Sequence, residues 1–202
     1  MANDQGILYG ARPLTAPDGP PKLFYWPANT ANAIYRGQFV AVNNSGQVQV
    51  IAPGDNVASR GIAWSFTDAD RAGLPSGMNS LTQGAFLPSG QNGFVGVTYD
   101  PQQLYVMEEI TGGTAITALS VGLLTNWTYI GTSTGNTNTG LATTVIQNSS
   151  VAGGTGPLLE IMGLYDITNQ DGTQNAVGAS AKWVVRIANH QNNGTKLSVA
   201  QG

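Results

Sequence analysis

The sequence predicts an all-β fold: a compact β-barrel or β-sandwich with long loops and an extended N-terminal arm. Two observations carry that prediction. Short runs of β-branched and aromatic residues recur along the 202 residues with turn residues between them. No window sustains a helical apolar period over three turns. The expected organisation is an arm over residues 1–27, then a single all-β domain over 28–202.

The elements follow in chain order. Pro13, Pro17, Pro20, Pro21 and Pro27 recur too often in the first segment for a helix, since each lacks an amide donor and clashes with the preceding turn. The same segment carries Leu8, Tyr9, Leu23, Phe24, Tyr25 and Trp26. Apolar residues on a proline-stiffened arm have two uses: to be laid on a partner's surface, or to wrap the arm's own domain. Residues 33–42 are rich in β-branched and aromatic residues, Asn43-Asn44-Ser45-Gly46 reads as a turn, and residues 47–51 alternate polar and apolar. Together they predict a hairpin.

Residues 60–67 alternate, with Ile62, Trp64 and Phe66 expected on one face. Residues 93–99 and 103–109 form a second pair around Asp100-Pro101, and further strands are predicted at 123–130, 141–147, 158–167 and 181–190. Residues 115–124 could form a short helix, weakened by Thr117 and Gly122. Two segments are expected as mobile loops, 68–92 and 131–157; the second opens on the near low-complexity run 131–140.

Composition narrows the function. Only 9% of residues are charged, against about a quarter in ordinary soluble domains. A surface built from Asn, Gln, Ser, Thr and Gly gives up charge repulsion, which suits a protein packed against copies of itself or a partner. An extracellular β-protein is the alternative reading of that composition. The eight Lys and Arg are scattered, with net charge −3, which argues against nucleic-acid binding. There is no cysteine, hence no disulfide framework. The opening residues carry no basic and apolar leader pattern, and no apolar run approaches a membrane span of about 20 residues. A chain made in the cytoplasm, without membrane partners, is expected.

The residues offer little chemistry. His190 is the sole histidine, at the end of an apolar strand, where a hydrogen-bonded structural role is expected. The Gly131–Gly135 string matches G-x-S-x-G, yet no helix pattern follows Ser133 as a nucleophile elbow requires. Asp68 and Asp70 could offer two oxygens to a cation, but no further ligands follow and Arg71 points to a local ion pair. Glu108 and Glu109 are adjacent on a strand, face opposite sides, and make a poor acid–base pair. No catalytic, cofactor or metal site is expected. A glycosidase working through carboxylates alone is the residual enzymatic alternative. Trp64 and Trp183 read as core residues, while Trp127, flanked by polar residues, is expected to face outward as a glycan or partner contact.

Several phrases resemble one family. A-N-A-I-Y-R-G-Q-F-V-A-V (31–42) is similar to the opening hairpin of small phage head proteins, with Gln38 where an acidic residue often stands. G-I-A-W-S-F (61–66) and V-G-V-T-Y-D-P-Q-Q-L-Y-V-M-E-E (95–109) resemble their central strands. L-L-E-I-M-G-L-Y-D (158–166) and K-W-V-V-R-I-A-N-H-Q (182–191) resemble their closing strands. The resemblance is to capsid decoration, or cement, proteins of tailed bacteriophages. It implies a non-enzymatic virion protein on the outer surface of the major capsid protein shell, commonly a homotrimer, with no catalytic residues. On that reading Leu8, Tyr9, Leu23, Phe24, Tyr25 and Trp26 are the expected capsid contacts. A head-fibre or receptor-binding module touching glycans is the alternative.

Overall fold

The computed structural model describes residues 10–15, 20–29, 31–55, 57–68, 86–110, 112–151, 159–169 and 172–192. Strands β1 (Arg12–Pro13) and β2 (Leu23–Asn29) come from the proline-rich segment. β3 (Ile34–Tyr35), β4 (Phe39–Val42), β5 (Val48–Val50) and β6 (Gly61–Asp68) follow, then β7 (Phe86–Leu87), β8 (Asn92–Thr98) and β9 (Leu104–Glu108). After a 3-10 turn at Ala118–Ser120 come β10 (Leu124–Tyr129), β11 (Gly135–Asn136), β12 (Leu141–Ala142), β13 (Thr144–Gln147), β14 (Leu159–Leu164) and β15 (Lys182–Ile187). The fold is all-β.

Five strands form one antiparallel sheet in the order β2-β8-β6-β4-β5, and six form another in the order β1-β9-β15-β14-β10-β13. β3-β7 and β11-β12 are two-stranded ribbons. The six-stranded sheet curls until its ends meet. The Gly10 N–H, just before β1, donates to the Thr144 carbonyl of β13 at 3.2 Å, and the Ile110 N–H, just past β9, donates to the Ile146 carbonyl at 3.0 Å. Closing a sheet in this way removes exposed edges.

At β4 the five-stranded sheet is buried on both faces, which explains why that strand reads as an unbroken apolar run. Phe39 and Ala41 point into a core shared with the six-stranded sheet, among Tyr105, Met107, Trp127, Trp183 and Val185. Val40 points the other way, into a smaller core with Ala28, Ile34, Ala63, Phe66, Val95 and Val97. Each large side chain fully buried in these cores stabilises by about 1.5–3 kcal/mol. The predicted hairpin is present as β4-β5. The Asn43 side-chain oxygen accepts the Ser45 and Gln47 N–H groups, both at 3.0 Å, and fixes the turn.

Polar stitches join the sheets. Ser59 N–H donates to the Asn189 carbonyl at 2.9 Å, and the Gln191 N–H returns to the Ser59 carbonyl at 2.7 Å. Thr98 Oγ1 lies 2.8 Å from the Tyr105 hydroxyl and accepts the Ile62 N–H at 3.1 Å. Burial pushes the Tyr105 phenol far above its ordinary range. At Gly61, with φ of +149°, a Cβ would meet the Thr98 carbonyl oxygen at 1.6 Å, so only glycine lets β6 approach β8 there.

Several expectations need correction. The boundary expected between residues 27 and 28 falls inside β2, which pairs with β8 from Leu23↔Thr98 to Asn29↔Asn92. Where described, the proline-rich segment is part of the domain. Pro27 is tolerated because β2 is an edge strand of its sheet. Ile62, Trp64 and Phe66 do not share a face: a bulge between Ala63 and Ser65 shifts the register against β8. Ile62 therefore joins the shared core and Phe66 the smaller one, while Trp64 is half-buried beneath Arg36, whose guanidinium lies 5.6 Å from its ring. The run 131–140, expected as loop, contains β11 and leads into its partner β12. Gly135 lies against the Tyr35 ring so closely that a Cβ would sit 2.2 Å from it. The helix suggested at 115–124 is one 3-10 turn. Most of the other expected loop, residues 69–85, lies outside the described residues, as do residues 152–158.

Candidate docking surface

The polar and titratable groups are largely committed to the fold. Glu109, 1% exposed, projects into the shared core and accepts the Ile116 N–H at 2.9 Å, the Asn148 amide at 3.1 Å and the Trp183 indole N–H at 3.0 Å. Glu108 faces the opposite side, across from Lys182. Glu160 forms an ion pair with Arg186. Asp100 and Asp55 cap turns at the Gln102 and Ala52 N–H groups. His190 is 3% exposed, and its Nδ1 accepts the Asn192 N–H at 2.9 Å. Burial, aided by the Arg60 charge, lowers its pKa to about 4. Ser133 Oγ donates to the Gly135 carbonyl at 2.6 Å, within its own turn. Asp70 and Arg71 lie outside the described residues, and among those described no group of three or more His, Cys, Asp or Glu could hold a metal.

Trp127, expected at the surface, is 1% exposed. Its ring packs 5.0 Å from Phe39 and 5.2 Å from Tyr129. The polar neighbours Asn126 and Thr128 lie on the other side of β10, and Trp127 shares the inward side with Thr125, itself fully buried. It therefore offers no glycan contact.

Among the described residues the one exposed aromatic side chain is Phe24 on β2, and its neighbours Trp26, which packs against the smaller core, Tyr99 and Arg60 are half-buried. Alternation sends Phe24 and Trp26 to one side, Leu23 and Tyr25 to the other. Tyr25 is half-buried, and its hydroxyl accepts from Ser65 Oγ at 2.9 Å; Leu23 is half-buried too. Phe24 is 54% exposed. Its ring lies 4.4 Å from that of Trp26 and 6.3 Å, edge-on, from that of Tyr99. The Arg60 guanidinium sits 5.0 Å over Trp26 and is bonded to Asn192 Oδ1, while Asn192 Nδ2 donates to the Tyr99 carbonyl at 3.0 Å. Phe24, Trp26, Tyr99 and Arg60 thus form a continuous face. Of the six residues expected as capsid contacts, Phe24 and Trp26 lie on it, Leu23 and Tyr25 lie on the opposite side of the strand, and Leu8 and Tyr9 fall outside the described residues.

No family model, curated protein or solved structure matches the chain. The site must therefore be read from its own chemistry. Tyr, Trp and Arg are the residue types that dominate binding at protein interfaces. Neither Tyr99 nor Arg60 was marked by the sequence, because each joins the face only through the pairing of β2, β8 and β6. A second apolar area surrounds the 3-10 turn and the adjoining ends of β10 and β14. There Leu119 is 90% exposed, with Val121, Leu123, Met162 and Leu164 each more than a third exposed. Among the described residues no helix is long and apolar enough to cross a membrane.

Proposed function

We propose that the chain is a non-enzymatic virion structural protein, a decoration or cement protein that binds the outer surface of a tailed-phage major capsid protein shell and stabilises it. The observation that carries the reading is the Phe24–Trp26–Tyr99–Arg60 face. Its rings are held in place by one another and by Arg60, so docking costs little side-chain entropy. A ligand that binds only the assembled shell stabilises it by mass action, and many symmetric copies multiply a modest local gain. The charge-poor composition and the resemblance of the strand phrases support the same reading. Self-association, with a trimer favoured, belongs to the proposal, and the apolar area around Leu119 supports it.

The protein surface is favoured over a glycan as the occupant because the Trp26 ring is already engaged by Phe24 and Arg60. A glycan-binding head-fibre module is the rival outcome. The test is co-sedimentation of the purified protein with assembled shells, alongside glycan-array binding. Phe24→Ala is expected to weaken shell binding about 30-fold, as loss of a central aromatic anchor does, with little effect on folding. Wild-type protein that ignores shells but captures glycans would overturn the proposal.

A further inference from the structure

Beneath the segment that follows β14 lies a buried lysine. Lys182 is 4% exposed, Asn169 5% and Glu108 5%; lysine is almost never so buried unless it is paired. Lys182 Nζ donates to Asn169 Oδ1 at 2.8 Å. The Asn169 carboxamide is oriented by its own N–H, which donates to Thr173 Oγ1 at 3.2 Å, and by a backbone bond from Asn169 N–H to the Thr173 carbonyl at 2.7 Å. The Lys182 backbone is clamped by the Asn175 side chain, which accepts the Lys182 N–H at 3.0 Å and donates to its carbonyl at 2.8 Å. Glu108 stands directly opposite Lys182 in the β9–β15 register, which puts their Cβ atoms about 5 Å apart. The amine and the carboxamide are thus in contact in a site shielded from bulk water, and the buried Glu108 carboxylate lies across the strand pair, within a side-chain rotation of them.

We infer that Lys182 and Asn169 join in an intramolecular isopeptide bond, with Glu108 carrying the protons. Glu108 takes a proton from Nζ, and the freed lone pair attacks Asn169 Cγ, which lies one carbonyl bond, about 1.2 Å, behind the oxygen already in contact. The Nζ–Cγ bond forms, and the Cγ–Nδ2 bond breaks with its electron pair on Nδ2. That nitrogen, protonated through Glu108, leaves. The net change converts a lysine ammonium and a carboxamide into a secondary amide and one ammonium ion. The Glu108 carboxylate is regenerated, and neither oxidant nor cofactor takes part. Fixed proximity of this kind supplies most of what such a step needs. The product is a covalent staple between β15 and the segment after β14, in a chain that has no cysteine. The inference is independent of the proposed docking function.

Intact-mass spectrometry of the full chain tests it. The wild type is expected to be lighter than its sequence by one ammonia, with a proteolytic fragment that joins the Asn169 and Lys182 peptides. Lys182→Arg and Glu108→Gln, each checked for fold by circular dichroism, are expected at full sequence mass. Three results would overturn the assignment: a wild-type chain of full mass after prolonged incubation, an ammonia loss that persists in Lys182→Arg, or a fragment map that places the loss at a cyclised asparagine elsewhere. A Glu108→Gln chain that cross-links as fast as wild type would overturn the role given to Glu108.

Discussion

Glu109 is the most demanding polar residue of the core, and replacing it by glutamine measures how far the fold depends on it. Its Oε1 accepts two donors, the Ile116 N–H and the Asn148 amide, and its Oε2 accepts the Trp183 indole N–H. Glutamine has one acceptor oxygen. If that oxygen serves Ile116 and Asn148, the new amide N–H₂ is driven against the Trp183 N–H, donor against donor. The reverse orientation strands two donors instead. A hydrogen bond to a charged group contributes about 1.5–3 kcal/mol, and a stranded buried donor costs about 1–3 kcal/mol. Glu109→Gln should therefore cost about 2–3 kcal/mol, and Glu109→Ala, which strands the Ile116 and Trp183 donors while Asn148 keeps the Ile110 and Gly112 carbonyls, about 3–4 kcal/mol, out of a typical 5–15 kcal/mol. Urea unfolding measures both. In a double-mutant cycle with Trp183→Phe, which removes the indole donor, the coupling should be about 1–3 kcal/mol. A Glu109→Gln midpoint within about 0.5 kcal/mol of wild type, or no coupling to Trp183, would refute the reasoning.

Two further outcomes are checked in the same way. Asn175→Ala removes three bonds, to the Tyr165 carbonyl, the Lys182 carbonyl and the Lys182 N–H, and should cost about 2–3 kcal/mol by urea unfolding, with faster hydrogen exchange at Tyr165 and Lys182. His190 has its pKa lowered from 6.5 to about 4 in the fold, so the unfolded chain binds the proton more readily. Stability from this group is complete above pH 6.5 and is lost as pH falls towards 4; after discounting for solvent screening it amounts to about 1–2 kcal/mol, and His190→Gln should flatten that part of the wild-type pH profile.

Most strands were legible because their signal is local. The alternation of residues 47–51 and the apolar runs at 104–108 and 182–187 name β5, β9 and β15 without help from the rest of the chain. β2 was hidden by its prolines, which argue against a ladder unless the strand is known to lie at an edge. Trp127 was misread because polar neighbours were taken as a sign of exposure. Period-two reading would have placed Thr125, Trp127 and Tyr129 on one side, and that side is the core. The Arg60–Trp26 and Phe24–Tyr99 contacts and the Glu108–Lys182 pairing join residues more than thirty positions apart. Register alone brings them together, so no local pattern could have shown them.

The location of the charges leads to one more outcome, for the docking itself. Charged residues are scarce to begin with, and Glu108, Glu109 and Lys182 are buried while Glu160 and Arg186 answer one another. The outer surface is thus poorer in charge than composition alone conveys. If the face of Phe24, Trp26 and Tyr99 docks on a shell as proposed, it gains by removing apolar area from water, a contribution that salt does not screen. Arg60, already engaged with Trp26 and Asn192, contributes shape more than net charge. Raising salt from about 0.1 M to about 1 M shortens the screening length from about 10 Å to about 3 Å. Shell affinity should then change by less than about threefold if the docking is apolar, whereas steering by opposite charges falls steeply with ionic strength. Co-sedimentation across that range separates the two. A steep loss of binding would move the contact away from the aromatic face and towards the few exposed charges.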